Sequence, residues 1–494
     1  MLALLLVLQA QAPVQRAAQT ITPGDIRRRI GIIADDSMRG RDTPSPELDE
    51  VAQYIAREYR RLGLKAAGDR GTFIQRYPLD RVRIVPESSV AFVHGGPGAT
   101  LKYGTDFTFD DNMFESGDYA GELVLVSGLL SNVTADTATL AGKMLIFTSR
   151  VRGPDRERVR SWKPAGVVVV SGADDSMWQQ MVARSNRRQL RDPSGTVGGP
   201  LVLSARLTSL QPIAAAFGID LAAAQPVATF AVTPLPGAQL HVHARVQPLD
   251  RKSAPNVVAI LEGSDPTLKD EYVVFSAHMD HVGVAGPRGS GGCRAQGADS
   301  ICNGADDDGS GTVAVVEIAE AFTSLHPRPK RSIIFLNVSG EEKGLWGSAY
   351  FTSHPAVPIH SIVADLNIDM IGRNWKDTIV AIGKEHSDLG ATLNRVGAAH
   401  PELNMRPVDD LWPDQRFYER SDHYNFARKG VPILFFFNGT HADYHQVTDS
   451  PDKIDAEKES RVAQLIFYLG VEVANAADRP KWNPDSYNRI VVGN

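Results

Sequence analysis

At 494 residues the chain is longer than one ordinary core, and its length suits about three domains. With 43% hydrophobic and 22% charged residues, and no low-complexity tract or repeat, its composition is that of a globular protein. The net charge of -6 and pI near 6.1 argue against nucleic-acid binding, and no apolar run beyond the N-terminus reaches the roughly 18 residues of a membrane span.

The first residues, Met1-Leu-Ala-Leu-Leu-Leu-Val-Leu, run apolar into Ala10-Gln11-Ala12, which fits a small-x-small cleavage site. Residues 1–19 therefore read as an export signal, although the basic n-region is missing. A buried N-terminal helix fits less well, because Pro13 and a polar stretch follow at once. Residues 20–85 read as helix-rich. Ile26, Ile30 and Ile33 mark one face; Leu48, Val51, Ala52, Tyr54, Ile55, Tyr59 and Leu62 mark another, stopped at Gly63. Thr72–Tyr77 and Val82–Val93 follow as predicted strands, and the whole segment is expected to pack on the later domain. Over residues 86–240 the texture changes to short β-rich runs such as Leu123-Val-Leu-Val-Ser and Gly166-Val-Val-Val-Val-Ser. Gly-, Asp- and Arg-rich loops separate them, and no cluster of catalytic type stands out. This reads as an inserted module of mixed β and α structure.

From residue 241 the pattern becomes strand, loop, helix. Predicted strands are Val257–Leu261, Tyr272–Ala277, Ser332–Val338, Ile362–Ile368, Thr378–Ile382 and Val431–Phe437. Predicted helices include Thr312–Leu325, Leu389–Ala399 and Glu457–Ala474. Apolar strands alternating with amphipathic helices argue for an α/β fold with a largely parallel sheet buried on both faces. Ligands bind such sheets beyond the carboxyl ends of the strands, and His278, Glu341-Glu342 and Asp369 all lie just past predicted strand ends.

With Asp307 and His445 these form a set of potential metal ligands: His278, Asp307, Glu342, Asp369 and His445. Imidazole and carboxylate together suit zinc-like ions, a carboxylate can bridge two of them, and a paired site activates water for hydrolysis. In His278-Met-Asp280, the acid two residues on can accept the second ring N–H, fixing the tautomer; the plain alternative is a surface His beside a solvated Asp. His281 reads as a supporting residue rather than a ligand. Gly304-Ala-Asp-Asp-Asp-Gly-Ser-Gly311 sets three carboxylates in a row, which repel unless a cation neutralises them. An Asx turn capping the next helix is the alternative there, and the spacing does not match an EF-hand. Gly340 breaks a strand so that Glu341 and Glu342 can face one cleft, one as ligand and the other as proton acceptor; two acids at a helix start is the competing explanation. An unpaired carboxylate at Asp369 would be costly in its buried setting. Tyr418, three residues before Ser421-Asp422-His423, reads either as a donor to an oxyanion or as a packing residue. Cys293 and Cys302 can close a small disulfide ring in an oxidising compartment, with free thiols as the alternative.

As a set, these motifs resemble the dizinc metallo-aminopeptidase family that includes bacterial leucyl aminopeptidases and aminopeptidase Y, with glutamate carboxypeptidase II and the transferrin receptor more distant. The resemblance runs from about Ile21 to the C-terminal helix, including Gly40-Arg-Asp, Ser421-Asp-His and Tyr444-His445. It implies a zinc-peptidase α/β/α sandwich over 241–494, completed by 20–85, with a mixed, mostly parallel central sheet. The insert at 86–240 resembles a protease-associated domain. Two Zn2+ ions are implied, with Mn2+ or Co2+ as substitutes. One would be held by Asp307, Glu342 and His445, the other by Asp307, His278 and Asp369, so that Asp307 bridges. Glu341 matches the general base, Asp280 the residue orienting His278, and Tyr418 a tyrosine that contacts the tetrahedral intermediate. The implied activity is that of an exported aminopeptidase, hydrolysing the first peptide bond of a peptide with a free N-terminus through metal-activated water.

A carboxypeptidase or dipeptidase on the same scaffold is the alternative, since Arg373, Arg416 and Arg420 lie near the site in sequence and could grip a terminal carboxylate. A receptor-like, non-catalytic protein would be marked by lost ligands, and none is lost. A different dizinc hydrolase fold with a dimerisation insert also uses His-x-Asp and Glu-Glu, but the Asp-Asp-Asp run and Tyr-His-x-x-x-Asp favour the first family.

Overall fold

The computed structural model describes residues 13–492 apart from 96–97, 111–113, 115, 131–132, 134–135, 150, 152–153, 187–188, 192–199, 224–228 and 287–291. Of the expected export signal, residues 1–12 lie outside the described part; residues 13–18 are helical, with Ala17 and Ala18 buried. The chain divides into two compact units, the first running to Tyr77 and resuming at Ser253, the second Pro78–Lys252. The module read from texture as 86–240 lies within the second.

In the first unit, helix α1 (Pro23–Ile33) starts where the Thr22 hydroxyl accepts the Asp25 N–H at 3.1 Å, with proline in the first turn. Helix α2 (Pro46–Arg61) begins in the same way, the Ser45 hydroxyl accepting the Leu48 N–H at 3.0 Å. The sheet includes β1 (Val246–Leu261, its end in this unit), β2 (Tyr272–His278), β3 (Ser332–Val338), β4 (Ile362–Ile368), β5 (Thr378–Ile382), β6 (Arg406–Val408) and β7 (Ile433–Phe436), in the order β6-β5-β7-β4-β2-β3-β1, and continues beyond β1. Strands β7, β4, β2 and β3 run parallel to one another, whereas β5 is antiparallel to β7 and β1 to β3. The sheet is therefore mixed and mostly parallel at its centre. Its connectivity places β3 on one side of β2 and β4 on the other. This switch point opens a crevice at the carboxyl end of β2, where His278 lies.

Alternation along the strands divides two cores. Val273, Phe275 and Ala277 pack with α1, α2, α3 (Gly311–Ser324), α5 (Leu389–Ala399) and α7 (Ala456–Asn475). Val274, Ile334 and Phe435 pack with α4 (Trp346–Ser353) and α6 (His423–Ala427) on the other face. Helices on both faces make an α/β/α sandwich, as the family resemblance implied. Helix α3 is buried almost all round, so its Glu317 must find a partner in the core. It pairs with Arg29 of α1, which also reaches Glu320 at 2.7 Å and Glu58 of α2 at 2.9 Å.

The second unit has a mixed eight-stranded sheet. Gly117–Ser127, Met144–Phe147, Gly166–Ser171 and Leu201–Arg206 run parallel, flanked by antiparallel strands including Ala231–Ala244 and Val90–His94. The strand expected over Val82–Val93 is split: Pro86 opens a turn at Pro86–Ser88 between Ile74–Ile84 and Val90–His94. Proline supplies no N–H for the ladder and fixes φ, which ends the pairing.

Removing Arg29 leaves Glu317 buried without its partner. Arg29→Met should cost about 3–5 kcal/mol, read as a lowered urea midpoint with an unchanged slope.

Candidate metal centre

Both clusters of His, Cys, Asp and Glu that could hold a metal ion among the described residues lie in the first unit, at the carboxyl edge of its parallel strands. His278 closes β2, Glu341 and Glu342 stand in the short turn after β3, and Asp369 follows β4. His445 lies in the loop after β7 at φ +56°, and Asp307 in the irregular turn that leads into α3. The sequence-expected ligands are thus brought together by separate elements.

The two oxygens of Asp307 face opposite ways. Its Oδ1 stands 3.4 Å from His278 Nε2, which is also 3.6 Å from Asp369 Oδ1. Its Oδ2 stands 3.1 Å from His445 Nε2, which in turn is 3.2 Å from Glu342 Oε1. Asp307 is therefore common to two groups of donors, as a bridging carboxylate would be.

Its neighbours in the triple-Asp run are already engaged. Asp306 accepts the Gly372 N–H at 2.6 Å and the Ser310 hydroxyl at 2.9 Å, and its other oxygen faces His441 Nε2 at 3.1 Å. Asp308 accepts three backbone N–H groups, those of Gly311, Met370 and His278, at 2.8, 3.1 and 3.2 Å. Asp308 lies beside His278 and Asp369, but its lone pairs hold the backbone, so we assign it to the framework. Arg41, fully buried, donates to the carbonyls of Met279, Asn303, Gly304 and Asp307 and ties both ligand loops to one cation. Asp449 accepts the Asp306 and Asp307 N–H groups.

The fit to metal rests on what is left without a partner. Asp307 Oδ2, Glu342 Oε1, Asp369 Oδ1 and both ring nitrogens of His281 are buried without a hydrogen bond, all around this one centre. Orphaned buried acceptors are rare and costly, and a divalent cation would satisfy the carboxylate oxygens among these. Sequence reasoning assigned His281 a supporting place. Its Nδ1 is in fact 3.0 Å from Glu342 Oε1 and 3.7 Å from Asp307 Oδ2. The signal was the second imidazole in His278-Met-Asp-His281.

Asp280 orients His278 largely through its backbone: its carbonyl lies 3.2 Å from Nδ1 and its carboxylate 3.7 Å. The carboxylate also accepts the Thr43 hydroxyl at 2.8 Å and the Glu341 N–H at 3.3 Å. Glu341 lines the pocket beside the centre, together with His278, Asp307 and Asp369. Burial, then the charges of Glu342, Asp422 and Asp369, raise its pKa well above the usual carboxylate range against the pull of His278. Tyr418 does not meet its expectation as a residue of this pocket. Its ring packs at 4.4 Å edge-on to His386 and its buried hydroxyl has no partner, whereas Tyr444 lines the pocket and stacks on His445 at 3.9 Å. The remaining wall sets Met370, Phe417, Phe435 and Phe437 beside Arg420, Ser421 and Thr440. Beside the ligand loops, Cys293 and Cys302 are joined as a disulfide.

Residues 256–470 match the model of peptidase family M28. The match covers less than half of the chain. The M28 segment is accompanied by relatives of similar sequence. A probable leucine aminopeptidase 2 of Aspergillus oryzae is 28% identical over 254 residues, 50% of this chain and 45% of that protein. A probable zinc metalloprotease of Pyricularia oryzae is 28% identical over 267 residues, 45% of this chain and 50% of that protein. The chain thus spans about half the length of the curated relatives it matches. Among solved structures, an aminopeptidase from Aneurinibacillus sp. strain AM-1 covers 94% of this chain and 97% of its own, with a TM-score of 0.52 and 17% identity. That likeness is one of fold.

The carboxylates of this centre raise the pKa values of its histidines. Burial lowers the His278 and His445 pKa values, but the carboxylates outweigh it: His278, beside Asp369 and Asp307, rises well above its usual value, and His445, beside Asp307 and Glu342, rises to about 10. Burial and the Asp307 charge push Glu342 up, while His281 and His445 pull it down to about 2. A raised histidine pKa stabilises the metal-free fold below its ordinary value near 6.5; that contribution should fade as pH climbs through about 10. The Glu342 contribution is present above about 4.5 and fades as pH falls through about 2. Metal must displace the imidazole protons. Adding a divalent ion to metal-free protein at pH 8 in weak buffer should therefore acidify the solution, and His445→Ala should acidify it less. Uptake without acidification would contradict this charge state.

Proposed function

We propose that this chain is a zinc-dependent aminopeptidase that removes an N-terminal residue with a large apolar side chain from a peptide. The observation that carries this reading is the convergence of His278, Asp307, Glu342, Asp369 and His445 around orphaned donor atoms, with an unligated carboxylate, Glu341, in the adjoining pocket. Asp307 would bridge two ions, with Glu342 and His445 holding one and His278 and Asp369 the other. Once bound, such a pair polarises the scissile carbonyl and makes water nucleophilic at neutral pH.

Glu341 has the remaining proton work. Its carboxylate takes the proton of the attacking water and passes it to the leaving amine. The same surroundings that raise its pKa in the metal-free chain favour uptake of that proton, and bound dications would lower the pKa again. Asp280 holds the His278 ring by Nδ1 and the Glu341 backbone by its N–H, so base and ligand share one anchor. The phenol at the pocket wall is that of Tyr444, and we assign it, in place of Tyr418, the role of donor to the developing oxyanion. Met370, Phe417, Phe435 and Phe437 would receive the side chain of the departing residue.

Arg420 supports a second reading. It stands in the pocket wall, while Arg373 is paired with Asp443 at 2.9 Å and Arg416 with Glu419, so Arg420 is the arginine placed to grip a terminal carboxylate in a carboxypeptidase or dipeptidase. Export fits the apolar N-terminal stretch and the Cys293–Cys302 disulfide, a bond of oxidising compartments.

Leucyl-p-nitroanilide should be hydrolysed and an N-blocked dipeptide left intact; the reverse would favour the carboxypeptidase. Leucyl should exceed alanyl substrate in kcat/KM by about 10-fold or more, since each added methylene in an apolar pocket discriminates by about 1–3 kcal/mol. Glu341→Ala should lower kcat by about 10^2–10^4-fold with metal content unchanged, whereas Asp307→Asn should lose metal as well, by elemental analysis. A Glu341→Ala enzyme of near-normal rate would remove Glu341 from the mechanism.

A further inference from the structure

We propose that His281 is a ligand of the ion held by Asp307, Glu342 and His445, so that this site is closed by four protein donors and the open coordination position belongs to its neighbour at His278 and Asp369. The inference rests on the paired-metal reading above and concerns how unequal the two sites are.

Three observations carry it. The first is geometry. Donor atoms of His281, Asp307, Glu342 and His445 all lie within 4.8 Å of one another. Four of the edges of this figure measure 3.0 Å (His281 to Glu342), 3.1 Å (His445 to Asp307), 3.2 Å (His445 to Glu342) and 3.7 Å (His281 to Asp307). A tetrahedral zinc with bonds near 2.0–2.1 Å requires edges of about 3.3 Å. The second is the unsatisfied ring. His281 is 0% exposed; its Nε2 has no hydrogen bond, and its Nδ1 faces the carboxylate oxygens of Glu342 and Asp307. An imidazole kept only for support would have its donor and acceptor met. The third is the cradle. A Cβ on Gly304 would lie 2.5 Å from His281 Cγ, and Gly304 stands at φ +59°. The glycine thus lets the loop that carries Asp307 close over the imidazole face, pressing Nδ1 toward the carboxylates. His281 is fixed from its backbone as well, its N–H donating to the Arg41 carbonyl at 3.4 Å.

The other group has three donors: His278, Asp369 and the second oxygen of Asp307. Sites with four protein ligands are the closed, structural kind, whereas three leave a position for water or substrate. The two ions would therefore load in sequence, the His281 site first.

A competing role for His281 is to donate Nδ1–H to Glu342 and merely orient it. His281→Asn separates the two, because the amide keeps an N–H near the Nδ1 position but supplies no imidazole. Zn2+ titration against a chromophoric chelator should show a tight and a weaker site in the wild type. In His281→Asn the tight site should weaken by more than about 100-fold, beyond the 10–100-fold that an outer partner contributes. X-ray absorption of the protein loaded with one Co2+ should lose imidazole scattering. Because His281→Asn also gives up the 3.0 Å contact of Nδ1 with Glu342 Oε1, the metal-free variant should melt no more than slightly lower than metal-free wild type while its tight site is lost. An unchanged tight site with unchanged imidazole scattering would overturn the assignment. So would a metal-free variant that is itself destabilised while binding one ion with wild-type strength. Wild-type protein that takes up no divalent ion would instead remove the paired-metal reading, and His281 with it.

Discussion

Concentrated negative charge in a buried space is the constraint around which the first unit is arranged. Donor atoms of Asp307 and Glu342 lie within 4.8 Å of each other, and like charges so close repel by about 3–4 kcal/mol at an effective dielectric near 20. Asp369 and Glu341 add to the load from neighbouring strand ends. No chain collects such groups at its switch point without a compensating cation. In the metal-free protein the protons on His278 and His445 serve; dications would serve better, because they also satisfy the orphaned lone pairs.

The surrounding residues sort the carboxylates into those that build and those that bind. Asp306, Asp308 and Asp449 accept backbone N–H groups of the loops, and Arg41 gathers four carbonyls of the same loops. Acceptors and donors of the main chain are thereby met where no helix or strand can meet them. What remains free is Asp307, with one oxygen toward each group of ligands. The triple-Asp run therefore has one binding member, because its flanking members hold the turn in the shape that presents the middle one.

Much of this could be read from the order of residues, and the failures have physical causes. Strand ends were legible because buried parallel strands are continuous apolar runs, so a polar residue such as His278 or Asp369 marks where each run stops. The choice of Asp307 within its run followed from resemblance, since repulsion among three acids does not say which is free. Tyr418 was misplaced because a tyrosine in an irregular loop can turn to either side. Here its ring packs on His386 against Gly383, a contact made by residues more than thirty positions earlier. The surroundings of His281 were hidden for a similar reason: they are set by Gly304 and Glu342, which no local periodicity connects to it. The split at Pro86 was readable, and the apolar run on either side concealed it.

The pocket and the ligand edge grow from the same strands, and this ties selectivity to chemistry on the proposed reading. Phe435 lies in β7, whose parallel neighbour β4 ends immediately before Asp369, and Met370 follows that ligand directly. Their side chains fall on the face packed by α4 and α6, opposite the face where α3 and the triple-Asp turn are anchored. A substrate side chain seated among Met370, Phe435 and Phe437 would thus be positioned by one core, and the bridging carboxylate by the other. The two meet only at the strand ends, beside His278 and Glu341. The three-donor ion, the one left open if His281 closes its partner, is the ion on the Asp369 side and so borders this pocket. An open coordination position there would place the reacting carbonyl next to the wall that selects the residue to be removed. The opposite arrangement, with the open position at Glu342 and His445, would set chemistry and recognition apart.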